Sequence, residues 1–177
     1  MSSNATTSLM GASYKRAETE QYKIALSTFD RIRSKFPSLS MDLDVNPDPV
    51  ELAMDIPAQP GLSFDVSLNL QNLDELHLNA SVLWVEWFPC TNPKKVEGYF
   101  EAVSGLLSGE FRILEHWRGK HPVRAELQRP LNGGWKTIAH WIDFLPSLVP
   151  WPAKTYKVVQ NLKESAKLTA PVTPELA

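Results

Sequence analysis

From residue 14 to 36, apolar side chains at Tyr22, Ala25, Leu26, Phe29, Ile32 and Phe36 recur at three- and four-residue steps. That spacing predicts one face of an amphipathic helix, ended by Pro37. Residues 37–49 carry three prolines and several turn formers and read as a loop. Alternation then takes over. A first strand is expected over 50–56, closed by a turn at 57–61. A second is expected over 62–70, where Leu62, Phe64, Val66, Leu68 and Leu70 alternate with Ser63, Asp65, Ser67 and Asn69. Unbroken alternation implies one buried and one wet face.

After a turn at 72–75, the stretch 76–90 changes phase. Leu76, Leu78, Ala80, Val82 and Trp84 occupy even positions, but Leu83, Val85 and Trp87 then put apolar groups on odd ones, with Glu86 among the even. Read as a single third strand, it is buried on one face at its start and on both faces later. Glu86 would then sit in apolar surroundings and need a partner or a wet pocket.

Thr91 or Asn92 is placed to cap a second helix, with Pro93 in its first turn and Gly109 at its end. Val96, Tyr99, Phe100, Val103, Leu106 and Leu107 form its apolar face. Gly98 and Gly105 weaken it by about 1 kcal/mol each relative to alanine unless close packing requires them. Three more strands are expected over 110–117, 122–128 and 135–142, with hairpin turns at Gly119 and at Asn132–Gly133–Gly134. The segment 144–151 is proline-rich and reads as an arm crossing the sheet or its edge. Residues 154–167 read as a short helix with Tyr156, Val159, Leu162 and Ala166 on one side.

These elements describe an α+β domain over 14–165, preceded by a disordered segment over 1–13 and followed by a frayed tail over 166–177. Its centre is a mostly antiparallel sheet of five to six strands with two helices packed on one face. The order helix, three strands, helix, two or three strands resembles that of the type III secretion chaperones and the YbjN-type domains. That resemblance implies a protein-binding role and carries no site residues across.

Composition narrows the function classes. The 177 residues have a net charge of −2, giving no global field toward nucleic acid or anionic membranes. Arg112, Arg118, Lys120, Arg124 and Arg129 cluster in sequence, but Glu110, Glu115 and Glu126 are interleaved with them. The single cysteine, Cys90, excludes an internal disulfide and any pair of thiolate ligands, and points to a reducing cytoplasm. No run of ~18 apolar residues predicts a membrane span, and the first residues lack the pattern of a signal peptide. Phosphate-binding loops, dinucleotide fingerprints, nucleophile elbows, zinc-protease helices and calcium loops are absent, and no cofactor or metal is expected.

The remaining chemistry lies in scattered side chains. His77, His116 and His140 would share one sheet face with Arg118, Arg124 and Glu126 if register cooperates, giving an acid/base pair beside an anion-binding arginine. Glu86, His116 and Glu126 are therefore the catalytic candidates, Glu86 because desolvation between Trp84 and Trp87 would raise its pKa. Cys90 precedes a helix N-terminus, but the expected role is a structural thiol. Six tryptophans supply core or interface area, and Trp87 and Trp151, with Arg118 and Arg124, are the binding candidates. The leading reading is a non-catalytic, cytoplasmic protein-binding or assembly module, with a protein partner or a second copy in a homodimer covering exposed apolar sheet or helix surface. The alternative is a small enzyme or ligand-binding protein with a pocket between sheet and helices.

Overall fold

The structure, a computed structural model, describes residues 19–143 and 152–161. The segments 1–13 and 166–177, and Trp151 with the arm 144–151, lie outside the described residues. Helix α1 (Glu20–Lys35) leads into strands β1 (Asp42–Asp44), β2 (Leu52–Ile56), β3 (Val66–Gln71), β4 (Glu75–Ala80) and β5 (Leu83–Trp87). Helix α2 (Pro93–Leu107) follows, then β6 (Arg112–Arg118), β7 (His121–Leu131), β8 (Gly134–Ile142) and β9 (Lys154–Val159). The class is α+β, as the periodicities indicate, but the strands divide into two antiparallel sheets. The first has five strands in the order β1-β2-β3-β4-β5, and the second four in the order β8-β7-β6-β9. Among the described residues no helix is long and apolar enough to cross a membrane.

Local chemistry sets the helix ends. Thr19 Oγ1 accepts from the Tyr22 amide at 3.2 Å to open α1, and Asn92 Oδ1 accepts from the Lys94 amide at 3.0 Å to open α2. Both helices cover the same face of the first sheet. Ala25, Phe29 and Ile32 of α1 and Tyr99, Ala102 and Val103 of α2 join Leu52, Met54, Leu68, Leu70, Leu76 and Leu78 in one buried core. Gly105 is explained by packing: the Phe111 ring lies where its Cβ would stand.

Three expectations are corrected. The single third strand is a hairpin: Ala80 pairs with Leu83 around the two-residue turn Ser81–Val82, with Ser81 at φ 53°. Each cross-strand pair then joins an even to an odd position, as in Leu78 with Val85, so the phase change records a reversal of the chain. The later half, β5, is not buried on both faces, since Trp84 and Glu86 on its outer side are exposed. The loop 37–49 contains the short edge strand β1. The helix expected from 154 is strand β9 over its described part, pairing antiparallel with β6. At Asn132–Gly133 both residues have positive φ, 50° and 79°, and the two-residue hairpin forms as the sequence indicates.

The second sheet presents Ile113, Ala125 and Leu127 to the core. Polar ties hold it to the rest. Buried Asn161 accepts from the Ser63 amide at 2.8 Å and donates to the Leu106 carbonyl at 3.0 Å. Glu115, fully buried, accepts from Ser81 Oγ and from Trp117 Nε1 and lies 3.8 Å from Lys157 Nζ.

Candidate functional site

Three places bring chemistry-bearing side chains together. The first is on the outer face of the β4–β5 hairpin. His77 and Glu86 are direct cross-strand partners, because the hairpin parity puts position 77 opposite 86. Glu86 is 47% exposed, so it is not the desolvated carboxylate expected of a residue between two tryptophans. His77 is fully buried beneath Trp84, whose Nε1 lies 2.9 Å from His77 Nδ1. An indole nitrogen only donates, so Nδ1 accepts and the ring proton sits on Nε2. That proton faces Glu75 Oε2 at 3.0 Å, with Glu86 Oε2 at 3.9 Å. Bonds donated first by Asn72 and then by His77 hold the Glu75 carboxyl below its ordinary range.

Glu75, His77 and Glu86 come close enough to suggest cation ligands. The tautomer argues otherwise. With Nδ1 occupied by the Trp84 proton, Nε2 carries hydrogen and has no lone pair to give a metal. The donor set fits hydrogen bonding and does not fit an ion.

The second place is the outer face of the second sheet. Register aligns His116 with Arg124 and Glu126 with His140. Both His116 Nε2 and Arg124 Nε lie 3.0 Å from Glu126 Oε1, though neither N–H points squarely at it. Thr137 Oγ1 and Gln128 Nε2 donate to Glu126 Oε2. Burial works against ionising Glu126, but the Thr137 bond, then Arg124, Gln128 and His116, outweigh it and hold the carboxyl below its ordinary range. Both oxygens are thus engaged from within the sheet. The predicted association of His116, Arg124, Glu126 and His140 on one face is found; His77 belongs to the other sheet.

The third place is an open groove of about 540 Å³ between β5 and β8, which are end strands of their respective sheets. Trp84, Trp87 and Trp141 line it with Ile138 and Ile142, and Glu86, Lys95 and His140 supply charge and hydrogen-bonding capacity. Trp87 is half-buried, its ring edge-on to Tyr99 at 5.4 Å and against Gly98, so it serves core and groove together. Arg118 is at the far end of β6, its Nη1 3.4 Å from the Pro152 carbonyl, well along the sheet from the Glu126 network.

Cys90 is fully buried, and burial, then the Asp74 carboxylate, pushes its thiol up to about 12. A thiol so placed is no nucleophile at neutral pH. Sequence reasoning missed the Trp84–His77 bond, buried Glu115 and exposed Tyr156. The first two depend on the hairpin between 80 and 83 and on packing between sheets, and the third was obscured by reading a helix at 154–167. Compared with known proteins, the chain matches no family model, no curated protein and no solved structure.

Proposed function

We propose that this chain is a non-catalytic protein-binding or assembly module, cytoplasmic in keeping with its lone buried thiol, whose contact surface is the groove between β5 and β8. The observation that carries the reading is the contrast between groove and polar networks. Three tryptophans line an open groove where two sheets end, a composition typical of protein contact surfaces. The polar clusters instead turn inward on the sheets: Glu126 takes hydrogen bonds from Thr137 and Gln128, and His77 is held between Trp84 and Glu75. A photo-crosslinking residue substituted at Ile138, which is exposed beside the groove, should capture a polypeptide. The same residue at Lys23, on α1, should not. Equal capture from both positions, or none from Ile138, overturns the reading.

One contact favours the enzyme alternative: His116 Nε2 within 3.0 Å of Glu126 Oε1 beside Arg124. For that reading to hold, NMR titration must show His116 and Glu126 titrating as a coupled pair, and a bound small molecule must displace both.

A further inference from the structure

Charge is divided between the two sheets in a way the net value of −2 conceals. From residue 37 to 92, the stretch containing the whole first sheet, there are nine acidic residues and no lysine or arginine. The second sheet, over 112–142 and 154–159, carries eight lysines and arginines against two acids, Glu115 and Glu126. Both of those acids are buried and already engaged.

The outer faces carry this division. Register places Asp42, Asp44, Asp55, Glu75 and Glu86 on the outer face of the first sheet. The matching face of the second bears Arg112, His116, Arg124 and His140, with Arg118 and Lys154 at its far end. Each face also holds a like-charged pair directly across strands, Asp42 with Asp55 and Arg118 with Lys154. Such pairs are destabilising unless opposite charge comes to them. The groove lies at the boundary, with Trp84 and Glu86 of the acidic face on one side and Ile138, His140 and Ile142 of the basic face on the other.

We infer that the occupant of this surface is a second copy of the chain, related by a two-fold axis through the groove. The inference rests on the groove being the contact surface, as proposed above. A two-fold rotation about the groove brings the acidic flank of each copy over the basic flank of the other, and it does so twice. The interface therefore closes on itself, with Trp84 and Ile138 at its centre. Nucleic acid or an acidic polypeptide would satisfy the basic face alone and leave the acidic face uncovered.

The test is the mass of the full chain by sedimentation at low and high salt. A dimer is expected at low ionic strength, with affinity falling at least about tenfold toward 1 M salt as the screening length shrinks to ~3 Å. The double substitution Asp42→Lys with Asp55→Lys, and separately Arg118→Glu with Lys154→Glu, should each leave a folded monomer by circular dichroism. Mixing the two variants should restore a dimer containing one of each. A wild-type chain that stays monomeric at low salt, a dimer indifferent to both reversals, or variants that fail to pair when mixed overturns the inference. If the crosslinker at Ile138 then captures a different polypeptide, the groove remains the contact surface and only the second copy is excluded; if it captures none, both fall.

Discussion

The two sheets obey the same alternation of side chains yet differ in what covers them and in what they expose. Every inward position of β2, β3 and β4, from Leu52 to Ala80, meets the helices or the core they enclose and is essentially inaccessible. The second sheet has a smaller buried face and leaves Trp135, Ile138, Tyr156 and Val158 open to solvent. Its outer face is organised by an ionic network around Glu126, whereas the outer face of the first is acidic and organised by one histidine beneath a tryptophan. The first sheet is thus the site of folding energy and the second the site of exposed chemistry. A protein of ordinary composition can separate these roles because alternation fixes which positions face inward without fixing what lies outside.

The largest effect should come from weakening the better-covered sheet. Leu78→Ala, at a fully buried position in β4, is expected to cost about 2–5 kcal/mol by urea denaturation. Val158→Ala, on the open face of β9, should change stability by less than about 0.5 kcal/mol. Similar losses at the two positions would erase the distinction. Next is Gly105→Ala. Helix propensity alone favours alanine by about 1 kcal/mol, but the added methyl would strike the Phe111 ring, and overpacking costs about 1–3 kcal/mol. Net destabilisation is therefore expected. A more stable variant would mean that Phe111 shifts freely at the junction leading to the second sheet.

How far these features were legible depends on their range. Both helices, the Asn92 cap of the second, and the turns at Gly119 and Asn132–Gly133 follow from side chains a few residues apart, and the structure bears them out. The hairpin at Ser81–Val82 is present in the sequence as a phase change, but no Asn-Gly or Asp-Gly pair marks it, so the stretch reads as one strand. Tyr156, Val159 and their neighbours satisfy a helical spacing, and β9 forms because β6 offers an unpaired edge, a long-range fact. The partition into two sheets has the same origin. Of the candidate site, Glu126 with His116 and Arg124 was legible because short hairpins fix register; Glu86 was misplaced because its neighbours in sequence are not its neighbours in space.

Smaller effects probe the outer network. Glu126→Gln should cost about 1 kcal/mol near neutral pH, since the charge-assisted contacts become ordinary ones. The sign of its pH dependence follows from the lowered carboxyl. The native state binds that proton more weakly than the unfolded chain, so the stabilisation is fully present above the ordinary value of 4.5 and is lost as pH falls through the lower native value. The difference between wild type and variant in urea midpoint should be flat above about pH 5 and shrink below it. A difference that instead widens in acid would mean Glu126 is protonated in the folded protein and would remove the contrast between its network and the groove.

The smallest effect tests the acidic face. Asp42 and Asp55 are exposed, directly opposed and repel each other, so Asp42→Asn should stabilise the isolated monomer by roughly 0.2–1 kcal/mol. Added salt should reduce the gain, because screening already relieves exposed charges. Lys154→Gln should behave likewise on the second sheet, through Arg118. In a two-fold dimer the sign reverses, since each charge now faces its opposite across the interface and its loss weakens association. Thermal unfolding below and above the association concentration therefore separates the two sheets as surfaces of one molecule from the two sheets as halves of one interface. If Asp42→Asn stabilises equally in both regimes, the acidic pair is a local liability with nothing laid against it.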